Sequence, residues 1–294
     1  MAFTMLLLGA LYTVFAAVLV RAGVALPTVG FVVGLLALLQ YYFSDRLVLL
    51  STGARLCRPN ELPEVQEMLA RLAALAGLPT PRLAVMDTPM PNAFATGRNP
   101  RHAVVAVTTG LLARLEPQEL EAVLAHELTH VHNRDMAVMA FASFFSTIAS
   151  WLVQQFYWIG MFGGFGGGFG GNGGRRGRGE SLGFVLLISW LVYVVSFFLI
   201  AALSRYREYA ADRGSALLTG QPSHLASALI RISGAMDRVP SEDLRQVQHL
   251  NALFVVPAVP RRASFVELFM THPTLEHRLQ YLRRLEIELA RARI

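Results

Sequence analysis

Four long apolar runs without a charged residue constrain the fold of this chain more than any other feature. They cover residues 3–20, 25–43, 136–161 and 182–204. A helix of about 20 apolar residues crosses the hydrocarbon core of a bilayer; the last three runs reach that length and the first is near the lower limit. Hydrophobic residues make up 54% of the 294, more than a soluble core of this size needs. We therefore predict about four transmembrane helices, with buried helices of a soluble protein as the alternative.

The apolar runs divide the chain into two hairpins and two polar blocks. The predicted N-terminal hairpin is 1–43, and no basic residue precedes it, which favours a membrane hairpin over a cleaved signal peptide. The second predicted hairpin is 136–204. The polar blocks, 44–135 and 205–294, together have the size of one folded domain. We expect a single polar domain that the second hairpin interrupts.

A glycine-rich segment at 160–180 separates the last two apolar runs. Glycine occupies 12 of the 20 residues from 160 to 179. So few side chains can pack there that we predict an unstructured loop between two spans. Because Arg175, Arg176 and Arg178 follow the glycines, a nucleic-acid-binding Gly/Arg segment is the alternative. The position of the segment at the tip of a hairpin argues against it, and we expect no nucleic-acid partner.

The polar blocks are predicted to be mainly helical with a small β-sheet. β-branched residues bounded by turns predict strands at 82–87 and 103–108. Helical spacing predicts helices at 63–76, 222–236 and 273–291. Asn60 is a candidate N-cap of the first of these helices. A further helix begins near Pro117, passes through His126 and is expected to run on into the third apolar run.

This last helix carries the motif His126-Glu127-Leu128-Thr129-His130. Residues four apart lie on one helix face, with Cβ atoms about 5–6 Å apart. Two histidines so placed can both bind a zinc ion at about 2.0–2.1 Å, and Glu127 is placed to take a proton from water at the metal. The alternative is a pair of buried histidines satisfied by hydrogen bonds alone. We predict a metal site with Glu127 as the catalytic base.

A catalytic zinc takes three protein ligands, and Glu208 is the predicted third. The motif helix enters the third apolar run about six residues after His130, and Glu208 follows the fourth run by four residues. The returning chain therefore brings Glu208 to the depth of His130. Asp212 lies one turn further on, where it can accept the N–H of a ligand histidine. The alternative is a solvated charged helix start.

Several segments beyond the motif are typical of one protease family. They are 91–97, 103–112, 126–135 and 271–278, together with the pair Glu208 and Asp212. On these residues the chain resembles the HtpX-type membrane heat-shock proteases, which share a broad clan with the CAAX-processing Ste24 proteases. The resemblance covers essentially the whole chain. It implies a gluzincin fold, mainly α with a small sheet, and one zinc ion per chain held by two histidines and one glutamate.

The resemblance also implies residues that contact the substrate. The strand around Asn92, Ala93 and Phe94 is expected to lie along the bound peptide and to pair with it as an added strand. A turn with a core phenylalanine is the alternative. His272 resembles a family histidine near the cleft that steadies the oxyanion. Without the resemblance, His272 is a loop residue before a helix that starts with proline.

The predicted activity is zinc-dependent endopeptidase cleavage of misfolded or unassembled membrane proteins, as in membrane quality control and stress response. The expected partners are polypeptide substrates and the lipid bilayer, with the oligomeric state left open. The alternatives are a processing protease of narrow specificity and a non-catalytic zinc-binding membrane scaffold. An intact Glu127 argues against the scaffold, because a structural metal site needs no base. A transporter is disfavoured, since the four runs carry no charged residue.

Arginine placement predicts the orientation in the membrane. Seven arginines flank the predicted spans on the side of the polar blocks, and four flank them on the other side. The first set is Arg46, Arg55, Arg58, Arg134, Arg205, Arg207 and Arg213, and the second is Arg21, Arg175, Arg176 and Arg178. Positive residues accumulate on the cytoplasmic side. We therefore predict a multi-pass protein of the cell (inner or plasma) membrane whose catalytic blocks face the cytoplasm.

Overall fold

The computed structural model describes residues 2–21, 48–139, 176–236 and 272–292, with individual positions between 31 and 46 and between 142 and 154. The chain divides into two compact units. The first unit comprises Met1–Gln40 and Met139–Leu203, and the second comprises Tyr41–Val138 and Ser204–Ile294. The second unit contains every residue that the sequence predicts to act at the metal.

Two apolar helices include predicted membrane spans. Helix α1 is Ala2–Arg21, within which Phe3–Val18 is apolar. Among the described residues, one stretch, Leu186–Thr219, is a helix long and apolar enough to cross a membrane. It belongs to a longer helix that begins at Arg176, so the last residues of the predicted loop 160–180 are helical. The rest of that loop and most of the runs 25–43 and 136–161 lie outside the described residues.

A four-stranded mixed sheet lies in the second unit. Its strands are β1 (Arg55–Leu56), β2 (Arg82–Met86), β3 (Ala93–Thr96) and β4 (Val104–Thr108), in the order β1-β2-β4-β3. Strands β2 and β4 are parallel, whereas β3 is antiparallel to β4. All five β4 residues are buried, as expected for a central strand covered on both faces. The predicted strands 82–87 and 103–108 are confirmed to within one residue at one end.

Helices α2 to α7 follow α1 along the chain. They are α2 (Pro63–Leu75), α3 (Thr109–Leu112), α4 (Pro117–His132), α5 (Arg176–Thr219), α6 (Pro222–Met236) and α7 (Leu275–Ala292). The helices predicted at 222–236 and 273–291 are thus confirmed, the second with a start two residues later. The fold is mainly helical with a small sheet, as the sequence predicts.

The core of the second unit lies between one face of the sheet and these helices. Leu69 of α2, Val105 of β4, Leu124 of α4, Leu229 of α6 and Leu282 of α7 belong to one buried cluster. A smaller cluster covers the opposite face of the sheet and includes Phe94, Val104 and Ala106. Alternate residues of β4 therefore serve different clusters. This packing holds α4, the helix with the metal-binding motif, against the sheet.

Helix α2 begins at Pro63 as predicted, but its N-cap residue differs from the prediction. Leu62, not Asn60, is the N-cap residue, and no side chain caps the helix. Both residues have left-handed backbone angles, with φ of 65° at Asn60 and 54° at Leu62. Pro63 fixes the first helical position, because its ring sets φ and its missing N–H is not needed there. The predicted end is confirmed, with Gly77 at a positive φ of 66°.

Helix α4 also ends earlier than predicted. It begins with a capping box between Glu116 and Glu119 and with Pro117 in the first turn. It stops at His132, with Asn133 as the C-cap, and Arg134 has a left-handed φ of 54°. Residues 135–139 are helical again. The prediction of one continuous helix into the third apolar run is therefore wrong, because two non-helical residues interrupt it.

Candidate metal centre

Three side chains from two helices converge in the second unit. His126 and His130 lie one turn apart on α4, and Glu208 lies on α5. Their candidate ligand atoms all lie within 4.8 Å of one another, and all three residues are buried. The two Nε2 atoms are 3.3 Å apart, and each is 3.6 Å from an oxygen of Glu208. The structure thus brings together the three predicted ligands.

The arrangement fits a zinc ion. Ligand distances of about 2.0–2.1 Å around a tetrahedral ion put neighbouring ligand atoms roughly 3.4 Å apart, close to the observed spacings. Glu208 Oε2 is buried without a hydrogen-bond partner among the described residues. Burial lowers the pKa of His126, but Asp212 and Glu208 outweigh it and raise that pKa to about 9. The centre therefore stabilises positive charge, and two imidazoles with a carboxylate are a donor set that zinc accepts.

A carboxylate contacts the side of the His126 ring that faces away from the ligand cluster, and an arginine pairs with that carboxylate. Asp212 Oδ1 lies 3.0 Å from His126 Nδ1. The Arg278 guanidinium donates two hydrogen bonds to Asp212, from Nε at 3.0 Å and from Nη2 at 2.5 Å. Arg278 Nη1 also lies 3.6 Å from Glu208 Oε2. A donor bond from Nδ1 to Asp212 leaves the Nε2 lone pair of His126 directed at the ligand cluster.

His130 has the same kind of support from different residues. Its Nδ1 lies 2.6 Å from Asp135 Oδ2, and Arg207 Nε lies 3.2 Å from the same oxygen. Asp135 is fully buried. In an unbroken helix, a residue five positions after His130 would point about 140° around the axis from it. The break at Arg134 brings the Asp135 carboxylate back to the histidine.

Glu127 lies beside the ligands and next to the edge strand β3. It is 4% exposed, so burial raises the pKa of its carboxyl group, against the lowering effect of His130 and His126. The Ala95 backbone N–H also acts on this carboxylate and lowers the same pKa. A raised pKa makes this buried carboxylate a stronger proton acceptor than an ordinary glutamate, as a general base requires.

The structure places the predicted substrate residues at two different faces of β3. Ala93 belongs to the cluster that contains α4, whereas Phe94 packs in the cluster on the opposite face of the sheet. Asn92 precedes the strand, and its carbonyl accepts a hydrogen bond from the Thr108 N–H at 3.0 Å. His272 lies at the metal centre instead, with Nδ1 3.6 Å from Glu208 Oε1.

Three buried residues of the centre have no site role in the sequence-based prediction. They are Asp135, Arg207 and Arg278. Asp135 ends the segment 126–135 and Arg278 ends the segment 271–278, two of the segments that carry the family resemblance. Their position in these two segments is the sequence signal by which Asp135 and Arg278 could have been found. His132, by contrast, is exposed on α4 and does not belong to the ligand cluster.

Comparisons of the sequence give a consistent result. A model of peptidase family M48 matches residues 59–286. A protease HtpX homolog from Moorella thermoacetica is 57% identical over 291 residues, which cover 99% of this chain and 94% of that protein. Protease HtpX homolog 2 from Methanosarcina acetivorans is 51% identical over 290 residues, which cover 99% and 95% of the two chains.

A comparison of structures supports the same fold. The crystal structure of S. mikatae Ste24p superposes with a TM-score of 0.57 at 19% sequence identity. The match covers 93% of this chain but 62% of that one. At this level of identity the likeness shows a shared fold.

Proposed function

The chain belongs to peptidase family M48 and is a zinc metallopeptidase, and from this we propose that it is an integral-membrane endopeptidase that cleaves misfolded or unassembled membrane proteins. One observation carries the catalytic part of the proposal. His126, His130 and Glu208 present three converging donor atoms, and Glu127 is buried on the same helix. We propose these three as the ligands of one zinc ion per chain.

The proposed reaction is hydrolysis of a peptide bond, with Glu127 as general base. The chemistry supplied by zinc, when bound, is Lewis acidity toward the scissile carbonyl and toward water. Glu127 takes the proton of the attacking water and passes it to the leaving amine. Asp212 and Asp135 hold the ring orientation of His126 and His130. His272, beside Glu208, is the proposed donor to the developing oxyanion.

The open edge of β3 is the proposed binding surface for the substrate backbone. Within the described ranges of the chain, strand β3 pairs only with β4, and Thr108 N–H donates to Asn92 C=O. Since paired and unpaired residues alternate along an antiparallel strand, the N–H and C=O groups of Ala93 and Ala95 point to the open side. That side also meets Glu127, through the Ala95 N–H. A peptide added there as a strand would pass beside the catalytic base.

The membrane part of the proposal is supported by the apolar helices. Leu186–Thr219 is long and apolar enough to span a bilayer, and Glu208 lies within that helix. The four uncharged runs and the arginine distribution favour a multi-pass protein with the catalytic residues on the cytoplasmic side. Substrates would then be polypeptides with unfolded segments at the membrane.

The test compares the wild type with Glu127→Ala, using detergent-purified protein loaded with zinc after chelation. We expect the wild type to cleave casein, the Glu127→Ala variant to lose at least about two orders of magnitude in rate, and both to bind one zinc. His126→Ala and His130→Ala should lose zinc, whereas His132→Ala, a matched change at an exposed position of the same helix, should keep it.

The outcomes separate the candidate functions. Equal cleavage by the wild type and Glu127→Ala would contradict the assignment of the base. Zinc binding without cleavage of casein or of an unfolded membrane protein in liposomes would favour the scaffold. Cleavage of a narrow set of short peptides alone would favour a processing protease.

A further inference from the structure

A basic cavity of about 460 Å³ lies in the second unit and shares no lining residue with the metal centre. Its lining includes four arginines and one acidic residue, Asp45. The arginines are Arg46, Arg82, Arg98 and Arg101. The cavity thus concentrates positive charge in a concave site whose volume lies within the range of about 300–1,000 Å³ typical of ligand pockets.

The charges of this basic cavity are only partly compensated. Arg82 pairs with Asp45 at 2.9 Å. Arg98 lies over the Tyr42 ring, 5.2 Å from its centroid, and donates to the Tyr42 carbonyl at 3.3 Å. Among the described residues, Arg46 and Arg101 have no acidic partner. Three guanidinium groups therefore face one cavity with no counter-charge in the part of the chain that the structure describes, which favours an anion there.

The chemistry of the lining suits a phosphate group. Guanidinium groups bind phosphate oxygens in a planar, bidentate manner. His102 also lines the cavity, and its Nδ1 lies 2.9 Å from Asn99 Oδ1. That contact orients the ring and leaves Nε2 for a further polar contact.

The position of the basic cavity along the chain indicates where the phosphate comes from. Tyr42 and Phe43 line the cavity, are 51% and 43% exposed, and stand at the end of the uncharged run 25–43. Aromatic rings followed by basic residues are typical of the boundary between a membrane span and the headgroup region. Basic pockets at that boundary bind the headgroups of anionic lipids.

We propose that the basic cavity binds the phosphate of an anionic phospholipid headgroup, with Arg46, Arg98 and Arg101 as its cationic contacts. The acyl chains of the bound lipid would extend out of the basic cavity past Tyr42 and Phe43. The inference rests on the membrane location in the proposed function, but it requires neither zinc nor peptidase activity.

The test uses the full-length chain in an uncharged detergent, titrated with phosphatidylglycerol or phosphatidylcholine, with bound lipid counted by native mass spectrometry. We expect the wild type to prefer phosphatidylglycerol. The double variant Arg46→Gln/Arg101→Gln should bind it about tenfold or more weakly, since each arginine near an anionic lipid contributes about fivefold. Arg283→Gln/Arg284→Gln removes the same charge from exposed positions of α7 and should behave as the wild type.

Three results would overturn the proposal. They are equal losses in the two double variants, equal binding of the two lipids by the wild type, and displacement of the lipid by inorganic phosphate at matched concentration. The last result would identify a site for free phosphate. Casein cleavage by the same preparations separates this inference from the proposed function. If the protein cleaves casein but shows no lipid preference, the lipid site alone is contradicted. If the protein fails to insert into liposomes of any composition, the proposed membrane location is contradicted as well.

Discussion

Each of the two proposed ligand histidines contacts an aspartate that is itself paired with an arginine. His126 has Asp212 and Arg278 behind it, and His130 has Asp135 behind it, followed by Arg207. The two arrangements are alike and are built from residues of α4, α5 and α7 and from Asp135, which begins the helical segment after the break in α4. Because the carboxylates are buried, each requires a cationic partner to offset its desolvation. The centre thus depends on residues that never touch the metal.

We predict that Asp135→Asn weakens zinc binding by about 10- to 100-fold, the range for loss of such a partner. The amide keeps the shape of the side chain but loses the charge that fixes the His130 tautomer. A competition titration with a chromogenic chelator measures the affinity. Asp87→Asn, at an exposed position, is the control and should leave the affinity unchanged. An unchanged affinity in Asp135→Asn would show that Asp135 plays no part in orienting His130.

We further predict that Arg278→Gln lowers the free energy of unfolding by about 3–5 kcal/mol, because it leaves Asp212 as a buried carboxylate without its bidentate partner. Arg278 is 2% exposed, so solvent cannot replace the lost charge. A denaturant titration of the detergent-solubilised protein provides the measurement. Arg283→Gln, on the exposed face of α7, should change the same free energy by less than about 0.5 kcal/mol. Similar losses in both variants would contradict the argument.

At the residue scale, the sequence predicts the three proposed ligands better than it predicts the residues that contact those ligands from behind. His126 and His130 follow from helical spacing, and Glu208 from the matched return of the chain. Arg278 pairs with a residue 66 positions away, and no local pattern encodes that contact. Arg207 was counted as a charge flanking a membrane span, but it is 9% exposed, and its ion pair with Asp135 gives it a role in the protein interior.

Helices α4 and α5 pack with almost no space between them at one point. A side chain at Gly214 would overlap Thr129, which lies one residue before His130. Close by, Ser215 Oγ donates to the Ala122 carbonyl at 2.7 Å. The small residues of α5 therefore permit the approach that carries Glu208 to the histidines of α4.

We predict that Gly214→Ala lowers peptidase activity and costs about 1–3 kcal/mol in the free energy of unfolding, the usual range for overpacking. Gly234→Ala in α6 is the matched control, because nothing lies within 4 Å of the added Cβ there. It should stabilise the protein by up to about 1 kcal/mol, since alanine has the higher helix propensity. Unfolding titrations and casein cleavage measure both effects. Gain of stability in both variants would exclude a tight helix contact at Gly214.

The elements themselves were predicted well where the pattern was local. Strands β2 and β4 and helix α6 follow from β-branched composition and helical periodicity. The sequence does not predict the end of α4, because Asn133 and Arg134 interrupt no hydrophobic pattern. The left-handed φ of Arg134 reflects tertiary contacts of the following residue, Asp135. The sequence does not predict the order of strands in the sheet either. Strand β3 lies between β2 and β4 along the chain, but β2 and β4 pair directly and β3 lies at the edge of the sheet.

For the whole molecule, the sequence predicts a four-span layout of which the described residues show a part. Helices α1 and α5 contain the first and fourth apolar runs. Of the residues that the structure describes, Leu186–Thr219 alone meets the length and hydropathy expected of a span. The runs 25–43 and 136–161 remain predictions. Composition decides that a segment can enter a bilayer, but the packing of spans against each other has no comparable signal in one sequence.

The predicted orientation can be tested at Cys57, the one cysteine of the chain. We expect a membrane-impermeant maleimide to leave Cys57 unlabelled in intact cells and to label it in opened membranes. Burial raises the pKa of the Cys57 thiol, so less thiolate is present at a given pH and labelling should accelerate as the pH rises from 7 to 9. Asn172→Cys in a Cys57→Ser background should react in intact cells. The reverse pattern would place the catalytic residues outside the cytoplasm.

The order of the ligands along the chain has a consequence for biosynthesis. His126 and His130 leave the ribosome about 80 residues before Glu208, and Arg278 follows about 70 residues later still. At about 5–20 residues per second, synthesis of the interval between His130 and Glu208 alone takes on the order of 4–16 s. During that time the nascent protein has two imidazoles and a base, but no third ligand. With the proposed ligand set, the metal site would be incomplete while the ribosome makes the predicted second hairpin, 136–204. Peptidase activity would then begin only after that hairpin has been translated.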